Sequence, residues 1–137
     1  MKPELLYLVL TALLTGTLWV PVVIGLVRSR GAPKPEDYAV APTAPLPHWV
    51  NRANRAHINA VESFGPFAAV VLAGAALHVS TPVTTAAAAV YFFARLAHAI
   101  VHISGTGIAR ARTVLFTIGW MAFVAIAIEV LRNAGGQ

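Results

Sequence analysis

Arg52, Arg55, Asn59 and Glu62 are spaced by three, four and three residues, and Pro66 follows four later. On a helix these positions share one face. A stripe of two guanidinium groups, an amide and a carboxylate running into an apolar segment is costly in a bilayer unless it faces protein or a polar ligand. A second set, Arg95, His98 and His102, is spaced by three and four and also shares a helix face. Arg95 sits one turn deeper than His98, so it is expected to be the most buried arginine and to pair with Glu62. The i, i+4 spacing of His98 and His102 also occurs in helical zinc sites, with Glu62 or His57 as further candidate ligands. No H-E-x-x-H and no second Glu-x-x-His motif accompanies it, so no metal ligand is assigned. Arg28, Arg30, Arg110 and Arg112 complete a basic rim at the same level. The excess of positive charge on cytoplasmic loops accounts for Arg112 without further function. The rim as a whole suits a small polyanionic ligand, because arginine binds carboxylates bidentately.

Composition says what must carry these groups. Of 137 residues 58% are hydrophobic and only 11% charged, where a soluble domain carries about 25%. The chain lacks the polar surface to cover a water-soluble globule and reads as an integral membrane protein of one domain, 1–137. It has no cysteine, so disulfides, thiolate metal sites and a protein thiol nucleophile are excluded. The net charge is +5, and the basic residues cluster at expected helix ends. That placement points to anionic lipid or an anionic ligand and not to nucleic acid. His48 and His78 are read as interfacial and uninformative.

Four apolar segments are visible, at about 4–27, 47–78, 82–103 and 109–132, each near the roughly 20 residues a spanning helix needs. The pattern is helical, with no internal repeat and nothing resembling a transmembrane barrel, so the fold class is an all-α four-helix membrane bundle. The first segment is longer than the apolar core of a signal peptide and has no small-x-small cleavage site, so it is expected to be retained. Pro21 should kink it. Thr81 and Pro82 are expected at the N-cap and first turn of the third span. Gly105-Thr106-Gly107 should break the third span from the fourth, and Gly135-Gly136 end the last. The segment 31–47 holds Pro33, Pro35, Pro42, Pro45 and Pro47 and is expected to form a semi-rigid loop without regular structure. Counting basic residues at the two sets of span ends puts the 31–47 loop and the arginine rim in the cytoplasm, with both termini on the opposite side.

At these residues the chain resembles a known family. Arg55-Ala56-His57-Ile58-Asn59, then Glu62 and Pro66, is similar to the R-A-x-x-N-x-x-E-x-x-x-P signature of MAPEG proteins, the membrane-associated proteins in eicosanoid and glutathione metabolism. Tyr91-Phe92-Phe93-Ala94-Arg95-Leu96-Ala97-His98 resembles the family's aromatic-rich third-span segment. The stretch from Arg110 to Gly119-Trp120 resembles its fourth-span entry. The resemblance covers essentially the whole chain. It implies a homotrimer of four-helix protomers, with glutathione bound as co-substrate between neighbouring subunits at the cytoplasmic end. By matching positions, Arg55, Asn59 and Glu62 would hold the peptide, Glu62 taking its ammonium. Arg95, His98 and His102 fall where the family places an arginine and tyrosine or histidine contacts, Arg28 or Arg30 would correspond to the first-span arginine, and Arg52, from the stripe itself, joins the expected glutathione-binding set.

The activity implied is that of a microsomal glutathione transferase, with peroxidase activity included, acting on a hydrophobic small molecule that partitions from the bilayer. Arg110 or Arg30 would stabilise the thiolate. The chain departs from the leukotriene synthase branch at Ser63, His98 and His102, where that branch has tyrosines. Two other readings are carried: a non-catalytic lipid- or partner-binding scaffold on the same fold, and a metal-dependent membrane oxidoreductase using His98 and His102.

Overall fold

The structure is a computed structural model and describes residues 1–40, 43–106 and 109–134. Pro42, Gly107 and Gly135-Gly136 lie outside the described residues. The chain folds as α1 (Pro3–Thr17), α2 (Trp19–Arg30), α3 (Pro35–Ala39), α4 (His48–Ala76), α5 (Pro82–Ser104) and α6 (Ala109–Ala134). The fold is all-α. Among the described residues four helices, with α1 and α2 counted as one, are long and apolar enough to cross a membrane.

Proline decides where the first of these breaks. The ring of Pro21 has no N–H and collides with the carbonyl four residues earlier, that of Thr17. The helix accordingly yields at Leu18, whose N–H reaches Thr15 instead in a tighter turn. Pro66 sits inside α4 and by the same rule frees the carbonyl of Glu62. The segment 31–47 is not wholly irregular, as its proline content suggested. Pro35 provides the first position of α3, and the Asp37 carboxylate accepts the Lys34 N–H at 2.8 Å, enough to set one turn of helix. The α5 start is better fixed. Thr81 Oγ1 accepts the Thr84 N–H, Thr84 Oγ1 accepts the Thr81 N–H, and Pro82 follows the cap.

α5 is the central helix, packed against α1, α4 and α6. Its small residues Ala87, Ala88 and Ala94 are buried and let its neighbours close in. The core joins Leu8 of α1, Phe67 and Val71 of α4, Ala88 and Tyr91 of α5, and Ile126 and Val130 of α6. Within it the rings of Phe67 and Tyr91 stack at 3.8 Å with an interplanar angle of 3°. Among the described residues α2 leaves this bundle and packs on α4 and α1 alone, so its arginines lie away from α5 and α6. Gly25 makes the α2–α4 approach possible, since a Cβ there would fall 2.5 Å from Val50.

Candidate functional site

The stripes expected on α4 and α5 face one another, but through different partners than the sequence suggested. Arg95 is 5% exposed. One of its terminal nitrogens donates to the Asn59 side-chain oxygen at 2.6 Å and to the Asn59 carbonyl at 3.1 Å. Its guanidinium lies 5.7 Å from the centre of the Phe116 ring, within cation–π range. The expected Glu62–Arg95 pair is absent. Three residues at 3.6 per turn rotate Glu62 about 60° away from Asn59, and its side chain is exposed on the outer face of α4. One turn deeper, the Tyr91 hydroxyl donates to the Ser63 carbonyl at 2.8 Å. Two side chains of α5 thus bind backbone carbonyls of α4 just ahead of Pro66.

Above Arg95, α5 continues the stripe. His98 is buried, and the His102 ring stands edge-on to it at 5.4 Å. His102 opens into a polar cleft of about 600 Å³, lined also by His48, Asn51, Arg52, Asn54, Arg55 and Arg112. Its Nδ1 is buried with no hydrogen-bond partner. The cleft lining contains three arginines and no carboxylate, so it presents donors and positive charge to whatever enters. Arg52 is tied down: its Nε donates to the Ile103 carbonyl at 3.2 Å, a cation at the C-terminal end of α5 where the helix dipole favours one. The turn is closed by Gly105, at φ 68°. The left-handed backbone there favours glycine, and a Cβ at Gly105, 2.5 Å from the Arg52 guanidinium carbon, would push that movable group off the Ile103 carbonyl.

Below the histidines lies a second, smaller cavity of about 220 Å³, lined by Ser63, Pro66, Tyr91, Arg95, Phe116, Gly119, Trp120 and Phe123. Half of its lining residues are aromatic, and one cation stands in its wall. The α5 stripe therefore runs from an arginine-rich cleft, past His102 and His98, to Arg95 beside an apolar chamber.

Of the residues singled out from sequence, Arg52, Arg55 and His102 line the cleft, Asn59 and Arg95 are joined beneath it, and His98 lies between. Glu62, Arg28, Arg30 and Arg110 are exposed and line neither cavity. The expected convergence of Arg28, Arg30 and Arg110 does not occur within one protomer, because α2 packs only on α4 and α1. His48, read as uninformative, and Arg112, attributed to the charge bias of cytoplasmic loops, both line the cleft. Spacing held the signal for His48, which stands four residues before Arg52 and extends the same stripe by one turn. Among the described residues there is no group of three His, Cys, Asp or Glu side chains that could hold a metal ion.

No curated protein matches this chain. The MAPEG family model matches residues 5–132, from α1 through nearly all of α6. On that match, covering both stripes and both cavities, the chain belongs to the MAPEG family, of membrane proteins in glutathione and eicosanoid metabolism.

Proposed function

We propose that the protein is a membrane-bound glutathione transferase, with peroxidase activity on suitable acceptors. The tripeptide occupies the arginine-rich cleft and a hydrophobic electrophile occupies the apolar chamber. The observation that carries this reading is the juxtaposition of the two spaces along Arg95, His98 and His102. Glutathione brings two carboxylates, which arginines bind well, and a thiol able to reach toward the chamber. A neighbouring cation lowers a thiol pKa from about 8.5 and raises the thiolate fraction near neutral pH. The thiolate sulfur then forms a bond to the electrophilic carbon as the leaving group departs with its electron pair. No protein nucleophile is required, in keeping with a chain without cysteine.

Within a protomer Arg112 is the better placed thiolate partner, because it lines the cleft and Arg110 does not. Arg28, Arg30 and Glu62 act from exposed surfaces, and in our reading they complete the cleft of a neighbouring subunit in a homotrimer. The cleft faces the cytoplasm, on the side richer in arginine and lysine. The test is a conjugation assay on protein reconstituted in vesicles, with glutathione and an apolar aryl halide. Glutathione-dependent product that is lost in Arg55→Ala supports the assignment. Glutathione binding without product favours the scaffold reading.

A further inference from the structure

Among the described residues Arg95, only 5% exposed, forms no ion pair. One of its terminal nitrogens makes both bonds to Asn59. The Nε and the other terminal nitrogen carry three of the five N–H donors of a guanidinium, and no described residue accepts from them. These nitrogens are not sealed in. The buried side-chain atoms without a partner are on Glu4, His57 and His102, and none is on Arg95. Arg95 stands in the wall of the apolar chamber and not of the cleft. The rest of the chamber wall is Ser63, Pro66, Gly119 and four aromatic rings, with no carboxylate.

A buried cation with open donors is unfavourable at rest. It becomes favourable when negative charge develops beside it, because little solvent screens the attraction. The group is also held still. Asn59 binds it twice, and the centre of the Phe116 ring lies 5.7 Å from the guanidinium carbon. Fixed donors need no reorganisation at the moment charge forms, the property that makes oxyanion holes effective. Gly119 leaves room next to the arginine stem, where a Cβ would lie 3.4 Å from Arg95 Cδ. Displacement of a halide makes little use of such a group, since a halide ion is a weak base and leaves unaided. Opening of an epoxide makes full use of it, since a strongly basic alkoxide oxygen forms.

We infer, resting on the transferase reading above, that Arg95 is a catalytic residue that stabilises an oxyanion in the chamber, and that apolar epoxides are the acceptor class the chamber serves. The glutathione thiol releases its proton to solvent on the cleft side. The thiolate sulfur forms a bond to a ring carbon of the epoxide. The bond from that carbon to oxygen breaks, and its electron pair goes to the oxygen, which accepts from the free nitrogens of Arg95. A proton from water then gives the alcohol and replaces the one the thiol released. The product is a hydroxy thioether, with no net oxidation.

The experiment measures kcat and KM of the full chain in vesicles, with glutathione and two acceptors of similar size, styrene oxide and benzyl chloride. Arg95→Gln should lower kcat for styrene oxide by about 100-fold, as loss of an oxyanion donor does, and kcat for benzyl chloride far less. The thiolate absorbance of bound glutathione should persist in this variant, because Arg95 is not in the cleft wall. Equal losses with both acceptors overturn the proposal and leave Arg95 only the task of holding α5 to α4. Should Arg95→Gln not fold, the unsubstituted protein decides. Phenylacetate, with a carboxylate oxygen where the oxyanion forms, should compete with styrene oxide roughly 10-fold more tightly than phenethyl alcohol, and should not compete with glutathione. Equal inhibition by the two, or competition with glutathione, overturns the proposal. Conjugation of benzyl chloride without any of styrene oxide overturns the oxyanion role alone. No conjugate from either acceptor overturns the transferase reading and the oxyanion role with it.

Discussion

Arg95 of α5 binds Asn59 of α4 twice, through the side-chain oxygen at 2.6 Å and the main-chain carbonyl at 3.1 Å. The main-chain bond sets the depth of α5 against α4. The side-chain bond sets the rotation of α4 about its own axis. Together they present Arg55 to the cleft side and turn Glu62 outward. The pair therefore links the polar cleft to the chamber below it, and substitutions at either residue should be felt in both.

Asn59→Leu should destabilise the protein by about 1–3 kcal/mol. The guanidinium would keep one of its two acceptors in a buried setting, and an incompletely satisfied buried donor carries that cost. Asn59→Asp, which preserves the acceptor and adds a charge, should be milder. Detergent-solution unfolding of both variants gives the order, and an Asn59→Leu protein as stable as the parent would show the pair to be dispensable.

Tyr91→Phe should cost about 0.5–1.5 kcal/mol, the net worth of a hydrogen bond to the Ser63 carbonyl, because the stack on Phe67 remains. Phe67→Ala should cost about 3–5 kcal/mol by opening a cavity in a fully buried site. Reversal of that order in unfolding experiments would mean the polar contact, not the packing, holds α4 to α5.

Gly105→Ala should destabilise for two reasons, a left-handed backbone and a Cβ pressed on the Arg52 guanidinium. The second vanishes in an Arg52→Ala background. The double variant should therefore lose less than the sum of the singles, by about 0.5–3 kcal/mol, the coupling usual for residues in contact. Simple additivity would indicate that Arg52 does not rest on this turn.

Gly119→Leu should reduce turnover of bulky hydrophobic acceptors much more than that of small ones, with glutathione affinity nearly unchanged. The added side chain enters the chamber, whereas Gly119→Ala meets only ordinary contacts, 3.4 Å from Arg95 Cδ being the nearest. Equal losses for acceptors of every size, measured as kcat/KM, would place the acceptor elsewhere.

The four apolar helices were legible because a bilayer leaves few alternatives. Long apolar runs with basic ends can do little but span, and Thr81-Pro82 announces the start of α5 by its chemistry. The stripes of α4 and α5 were legible from spacing, and so was the burial of Arg95. The choice between Asn59 and Glu62 as its partner was not, because both lie within one turn and only the rotation of α4 decides. Arg110 and Arg112 pose the same problem at the start of α6, where two residues differ by about 200° around the helix. The burial of Glu4 against the hydroxyls of Ser80, Thr84 and Thr85 was missed because these partners are far away in the chain. A lone acid in a first helical turn looks like ordinary dipole compensation until the fold closes over it.

We propose that the arginine-rich cleft binds glutathione and stabilises its thiolate. The most direct measurement is the ultraviolet difference absorbance of the thiolate when glutathione is added to detergent-solubilised protein across a pH series. A thiolate band is expected on the unsubstituted protein well below the ordinary thiol pKa of about 8.5. It should weaken strongly in Arg112→Ala and much less in Arg110→Ala. Absence of the band at saturating glutathione would contradict the catalytic reading, and an unchanged band in Arg112→Ala would remove that residue from the mechanism.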